Sequence, residues 1–153
     1  MMILCCDVLK ALEGKTLVTA ESLTGGGIGA AITAVSGASA VYKGGIISYT
    51  NEVKRGVLGV SPQTLELHGA VSCRTAEEMA IGARKLLKSD VAVSVPGLAG
   101  PGGDEFGHEV GTVFIGFERQ ARAIAKKYCY SGDREAVRQQ TIRAALKLIL
   151  EMT

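Results

Sequence analysis

The sequence lacks the features that mark most membrane-spanning and nucleic-acid-binding proteins. None of its apolar runs approaches the roughly 18 to 20 residues that a transmembrane helix needs. Its 17 basic and 15 acidic residues leave a formal net charge of only +2, which gives no large field to attract DNA or an anionic membrane. We therefore expect neither nucleic acid nor a membrane among its partners.

Cysteine is too sparse and too irregularly spaced for a zinc site or a disulfide scaffold. The chain holds four cysteines, at the positions Cys5, Cys6, Cys73 and Cys129. An adjacent pair followed by two distant single residues matches neither pattern. Residues 1–12 are partly apolar, but Asp7 and Lys10 interrupt them and no basic segment precedes them, unlike a signal peptide. The sequence predicts reduced cysteines, a cytoplasmic location and no metal.

Histidine is also scarce, and this restricts the catalytic chemistry. The chain has only His68 and His108. His68 precedes a glycine between two predicted helices, and His108 lies in a polar loop. A Ser-His-Asp arrangement is therefore disfavoured, and a lysine is the better candidate for a base that activates a serine.

Small and apolar residues are abundant, in contrast. Hydrophobic residues make up 47% of the chain and there are 20 glycines, against three prolines and no tryptophan. This composition is typical of a compact α/β protein with close backbone approaches. A chain of this length is large enough to bury about two thirds of its extended surface. We expect a single domain over residues 1–153.

Apolar periodicity and turn residues predict the order of helices and strands. The predicted strands cover residues 17–19, 44–49, 91–95, 110–117 and 121–130, the last two joined by 118–120. The predicted helices cover residues 2–13, 29–35, a short segment capped by Asn51, a short helix after a turn between Ser61-Pro62 and His68-Gly69, 76–87 and a last helix from residue 133. The first helix is expected to bury Ile3, Cys6, Leu9 and Leu12, and the last to bury Ile142, Ala145, Leu146 and Ile149.

This order predicts an α/β fold, a three-layer α/β/α sandwich with a mixed, mostly parallel sheet. Ligands of such sheets bind beyond the carboxyl ends of the strands. Three conspicuous polar or glycine-rich segments follow predicted strands, at residues 22–27, 48–54 and 97–103. We expect these segments to meet at one edge of the sheet.

The first of these segments contains a serine, Ser22, directly after a strand and before three glycines. If a helix begins there, the amides of Thr24, Gly25 and Gly26 form an oxyanion hole or hold a bound anion. The alternative is that Ser22 or Thr24 only caps the helix. The local run leaves these interpretations open, although it matches neither a Walker motif nor a dinucleotide fingerprint.

The second segment offers a base for the serine. Lys54, if it is desolvated in the same cleft, loses its proton near neutral pH and accepts one from Ser22. Tyr49 and Asn51 flank this strand end and are candidates to orient Lys54 or to bind substrate. Arg134, one helical turn from Arg138, is suited to a phosphate or carboxylate. A solvated surface position is the alternative for each of these charged residues.

Taken together, these residues resemble the CinA C-terminal domain family, the nicotinamide-nucleotide amidohydrolases, from about residue 7 to the end. The resemblance rests on ordered blocks, which read AESLTGG at 20–26, GGIISYTN at 44–51 with Lys54, HGAVS at 68–72, GLAGPGG at 97–103 and VGTV at 110–113. It implies a stand-alone form of the domain, without the separate N-terminal domain of longer members.

The resemblance also implies an activity and roles for individual residues. The activity is deamidation of nicotinamide mononucleotide to nicotinic acid mononucleotide and ammonia, with no cofactor. Ser22 is the implied nucleophile and Lys54 its base, with Tyr49 in support. Ser39, the loop from Gly100 to Gly102 and Arg134 are implied to line the substrate site. A homo-oligomer is expected because helix faces carry many alanines.

Two departures from the family pattern concern the substrate. Pro96 stands where the family has a threonine, and His108-Glu109 replaces a Lys-Pro pair. The first change removes a hydroxyl and a backbone N–H, and the second removes a positive charge. A homologue that binds a nucleotide without catalysis, or that acts on a different substrate, is therefore the alternative hypothesis.

Overall fold

The computed structural model describes residues 1–153. In chain order the elements are α1 (Met2–Ala11), β1 (Leu17–Glu21), α2 (Gly27–Thr33), β2 (Tyr42–Ile47), α3 (Asn51–Gly56), α4 (Pro62–His68), α5 (Cys73–Leu87), β3 (Val91–Val95), β4 (Thr112–Arg119), β5 (Arg122–Cys129) and α6 (Arg134–Met152). A short 3₁₀ turn, Ala38–Ala40, precedes β2.

The strands form one sheet of five strands in the order β2-β1-β3-β4-β5. β1 lies between β2 and β3 and runs parallel to both. β4 is antiparallel to its two neighbours, so it alone opposes the common strand direction. The predicted mixed, mostly parallel sheet is confirmed, and the carboxyl ends of β1, β2 and β3 lie at the same edge.

Helices cover both faces of the sheet. Helices α1, α2 and α6 share a large core with one face, and α5 packs on the other against β1 and β3. A Cβ at Gly82 of α5 would overlap the carbonyl of Leu58, so glycine permits this close approach. The three-layer α/β/α prediction is confirmed, because each face of a buried sheet needs an apolar cover.

The predicted face of α1 is partly wrong: Leu12 is buried as expected and Cys6 and Leu9 are partly buried, but Ile3 is not buried. Ile3 is 79% exposed, whereas Cys5, Val8 and Leu12 are fully buried. The sequence pattern was interpreted as a buried face with apolar residues every three positions. The helix instead contacts α2 and α6 through a different face. The stripe predicted for α6 is confirmed, since its four apolar residues are all buried.

The hairpin between β4 and β5 turns later than predicted. Gln120 and Ala121 form the turn, with φ angles of 52° and 61°, values that match the twist of a two-residue hairpin. Glu118 therefore stays in β4, where it is 1% exposed and pairs with Arg84.

The cap of α3 is also corrected: Thr50 Oγ1 accepts from the backbone of Val53 at 3.3 Å, and Asn51 is already helical.

The four cysteines are free thiols in the structure; Cys5 is buried, whereas Cys73 and Cys129 are exposed. No helix combines the length and the apolar character that crossing a membrane requires.

Candidate active site

The carboxyl ends of the three parallel strands enclose a cleft of about 280 Å³. Residues after β1, after β2 and after β3 line it, together with the start of α6. The lining residues are Ser22, Leu23, Tyr49, Asn51, Lys54, Ala70, Val71, Gly97, Leu98, Ala99, Gly100, Gly102 and Arg134. The predicted meeting of the three segments is therefore observed.

Lys54 is buried at the base of this cleft, with only 2% of its surface exposed. Its Nζ lies 3.1 Å from Ser22 Oγ, within the expected contact distance, and donates to the carbonyls of Ser48 at 2.8 Å and Tyr49 at 3.3 Å. Burial lowers the pKa of Lys54 from 10.5 to about 8, because removal from water disfavours the charged amine.

These contacts determine what a neutral Lys54 presents to the serine. A neutral amine has two N–H donors and one lone pair, and the carbonyls of Ser48 and Tyr49 accept both N–H groups. The remaining lone pair then faces Ser22 Oγ. The arrangement is that of a base held against a hydroxyl, without a histidine.

The turn after Ser22 is ordered by backbone hydrogen bonds. Ser22 N donates to the carbonyl of Val95 at 3.3 Å, and Gly25 N donates to the carbonyl of Ser22 at 3.1 Å. The N–H of Leu23 donates to no protein acceptor, and Leu23 lines the cleft. Leu23 therefore offers the amide nearest the serine for a negatively charged oxygen.

Glu21, which sequence reasoning missed, supports this turn from below. Its carboxylate is 2% exposed and accepts from Thr24 Oγ1 at 2.6 Å, Thr19 Oγ1 at 3.2 Å and the backbone of Ile28 and Gly29 at 2.8 and 3.0 Å. A negative charge at the start of α2 is favourable for the helix dipole. A single glutamate between Ala20 and Ser22 gave no periodic signal that separates it from a surface acid.

We expect Glu21→Gln to lower the free energy of unfolding by roughly 2 to 4 kcal/mol, because an amide cannot accept from all of these donors and charge-assisted bonds are lost. Urea unfolding measures the change. The matched control is Glu52→Gln, since Glu52 is an exposed acid in the first turn of α3. A loss for Glu21→Gln no larger than for Glu52→Gln would contradict the prediction.

Tyr49 and Arg134 close the outer side of the cleft. Arg134 Nη1 donates to the carbonyl of Gly100 at 2.7 Å, and Nη2 donates to the hydroxyl of Tyr49 at 2.9 Å. The Tyr49 phenol thus contacts Arg134, and its backbone carbonyl, rather than its phenol, holds Lys54. The contact with Lys54 that was expected of the Tyr49 side chain is made by the Tyr49 main chain instead.

Some residues predicted to bind substrate do not line the cleft. Thr24 is fully buried with its hydroxyl donated to Glu21, and the amide of Gly25 is taken by Ser22. Gly26 lies beside Ile47, and Ser39 is exposed on the 3₁₀ turn. Helix α2 begins at residue 27, two residues before the predicted start at residue 29, and Thr24, Gly25 and Gly26 lie in the turn that precedes it.

The two departures from the family pattern also lie outside the cleft lining. Pro96 is buried, and its carbonyl accepts from the backbone of Phe114 at 3.0 Å. His108 Nδ1 lies 2.8 Å from Asp104 Oδ2 and its ring meets Phe114 edge-on. The loss of a substrate contact expected from these two positions finds no support in this geometry.

Comparison with known proteins agrees with the resemblance. The model of the CinA C-terminal domain matches residues 5–153. The chain belongs to the CinA C-terminal domain family. Among relatives of this family, the nicotinamide-nucleotide amidohydrolase PncC of Escherichia coli is 45% identical over 144 residues, which span 94% of this chain and 87% of that protein.

Other CinA relatives are longer or structurally known. A putative competence-damage inducible protein of Caldanaerobacter subterraneus is 44% identical over 93% of this chain, which spans 35% of that protein. The crystal structure of competence damage-inducible protein A from Klebsiella pneumoniae superposes with a TM-score of 0.96 at 38% identity, covering 98% of this chain and 94% of that one. The CinA fold of this chain therefore extends over its whole length.

Proposed function

We propose that this CinA domain is an amidohydrolase that converts nicotinamide mononucleotide to nicotinic acid mononucleotide and ammonia. The observation that carries the proposal is the contact of 3.1 Å between Ser22 Oγ and the buried amine of Lys54. A depressed lysine pKa and a neighbouring hydroxyl form the pairing that activates a serine nucleophile. The activity for which the Escherichia coli relative is named suggests the substrate.

In the proposed mechanism, Ser22 Oγ attacks the carboxamide carbon while the neutral Lys54 amine takes the hydroxyl proton. The N–H of Leu23 donates to the oxyanion that forms. The Lys54 ammonium then returns its proton to the amide nitrogen as the carbon–nitrogen bond breaks, so that the nitrogen leaves as ammonia. Water hydrolyses the resulting ester by the same route, which releases the carboxylate and restores Ser22.

Binding of the nucleotide is assigned to the outer part of the cleft. Arg134 there donates to two neutral acceptors, Tyr49 and Gly100. A phosphate would accept stronger, charge-assisted hydrogen bonds from the same guanidinium. Asn51 and the glycine-rich loop at Gly102 complete the lining. A volume of about 280 Å³ is close to the lower end, roughly 300 Å³, of small-molecule sites.

The alternative, a nucleotide-binding homologue without catalysis, has less support. It does not account for a lysine that is buried 3.1 Å from a serine hydroxyl, a position whose desolvation disfavours the charged amine. The cytoplasmic location and the homo-oligomer remain part of the proposal, as predictions from the sequence.

The test of the proposed function is release of ammonia from nicotinamide mononucleotide by the purified protein. We expect stoichiometric ammonia and nicotinic acid mononucleotide, measured by a coupled assay and by chromatography. A melting temperature that rises with the nucleotide, without ammonia, would favour the binding-only alternative. Absence of both effects would overturn the proposed substrate.

The pH profile tests the base. Because only the neutral amine accepts a proton, kcat/KM is expected to rise with pH and to level off above the Lys54 pKa of about 8. Well below that pKa the rise is about tenfold for each unit of pH. A profile of kcat/KM that stays flat between about pH 6 and about pH 9, a range that brackets this pKa, would contradict the assignment of Lys54 as the base.

A further inference from the structure

One arginine outside the cleft lining contacts the turn that carries the nucleophile. Arg138, on the second turn of α6, donates from Nε to the carbonyl of Leu23 at 3.0 Å and from Nη2 to the carbonyl of Thr24 at 3.2 Å. Its Nη1 pairs with Glu135 at 2.9 Å. Sequence reasoning favoured a solvated helix face for this arginine or a direct contact with an anion.

The geometry of the peptide unit turns these two contacts into a constraint on the active site. In a trans peptide the carbonyl and the next N–H point in opposite directions. Gly25 N holds the carbonyl of Ser22, and Arg138 holds the next two carbonyls. Three consecutive peptide planes after the nucleophile are therefore fixed, and the N–H of Leu23 belongs to the first of them.

Arginine suits this task better than lysine. The carbonyls of two adjacent residues accept from two nitrogens of one planar guanidinium, which sets both peptides in a single geometry. The charge also contacts the carbonyl side of these peptide units without belonging to the cleft lining. There it polarises the turn without competing for substrate.

We infer that Arg138 is a positioning residue that orients the serine turn so that the N–H of Leu23 stabilises the oxyanion. The inference rests on the proposed function, because it names how that reaction is supported. Arg138 itself touches neither substrate nor Ser22. Its loss is expected to act on the transition state, whereas loss of Arg134 is expected to weaken substrate binding.

Kinetics of Arg138→Lys and Arg138→Ala test the inference. A displaced oxyanion donor typically costs about 10²-fold in kcat, and we expect that loss for Arg138→Ala with KM changed by less than about threefold. Arg138→Lys is expected to recover only part of it. Ethylguanidinium at concentrations that do not unfold the protein should restore part of the kcat of Arg138→Ala. The control is Arg143→Ala, an exposed arginine on the same helix.

Three results would overturn the positioning role of Arg138. They are an unchanged kcat in Arg138→Ala, a loss of kcat shared by Arg143→Ala, and a loss of kcat that matches the unfolded fraction in urea titrations. If Arg138→Ala does not fold, Arg138→Lys carries the same comparison. If the wild-type protein releases no ammonia, the proposed function fails instead. The role of Arg138 is then judged from the Leu23 and Thr24 amide resonances, which Arg138→Lys must shift for the inference to stand.

Discussion

Ser22→Ala is expected to lower kcat for ammonia release by roughly 10⁴-fold or more, the size of effect seen when a serine nucleophile is removed. The physical reason is the loss of the only hydroxyl in contact with Lys54 Nζ. The cleft keeps its other lining groups, so the nucleotide should still bind. Initial rates under saturating substrate measure the loss, and a thermal shift with the nucleotide measures the binding.

The matched control for this prediction is Ser36→Ala, since Ser36 is exposed and far from the lining residues. It is expected to retain the wild-type rate. Ammonia release by Ser22→Ala within about tenfold of the wild type would rule out a covalent serine intermediate. The reaction would then require a directly attacking water.

Lys54→Met is expected to abolish activity and to stabilise the protein. Methionine has a similar length and carries no charge to bury. The lowering of the Lys54 pKa from 10.5 to about 8 corresponds to a cost of about 3 kcal/mol for the charged form in the fold. The lost hydrogen bonds offset part of this gain, so a net increase of about 1 to 2 kcal/mol at neutral pH is the expected result.

The stabilisation by Lys54→Met must depend on pH with a definite sign. Below about pH 8 the folded wild type carries the buried charge and its full cost. Between this pKa and the ordinary value of 10.5 the unfolded state binds more protons, so the wild type gains stability as pH rises. The difference between variant and wild type should therefore shrink towards high pH.

Urea unfolding at neutral pH and at high pH measures this difference. Lys147→Met, which replaces an exposed lysine on α6, is the control and is expected to change stability by less than about 0.5 kcal/mol at either pH. A Lys54→Met protein that is less stable than the wild type at neutral pH would show that the three hydrogen bonds of Lys54 outweigh its desolvation.

The parts of the fold that could be predicted are those with a strong local pattern. The stripe on α6 and the buried strand β3 follow from residues close together in the sequence. The face of α1 could not be predicted, because several helical faces carry apolar residues and only the contact with α2 and α6 selects one. The position of the hairpin turn was also predicted wrongly, because neither Gln120 nor Ala121 is a typical turn residue.

The candidate site shows the same division. Ser22 and Lys54 were predicted to meet because each follows a parallel strand, and such strands end at one edge of a sheet. The supports of the site were missed. Glu21 and Arg138 work through side-chain contacts with backbone groups of the serine turn, and neither residue belongs to a motif that predicts such contacts.

The sequence by itself determined the order of the elements, the layering of the sandwich and the strand ends that carry polar groups, because hydrophobic periodicity and turn residues act over short distances. Only the tertiary structure decided that the N–H of Leu23 is left without a protein acceptor, which carbonyls hold Lys54 and where Arg138 lies. Those features depend on the distance and direction between groups far apart in the chain. Lys54, 32 positions from Ser22, acquires its lowered pKa only when the packed layers remove it from water.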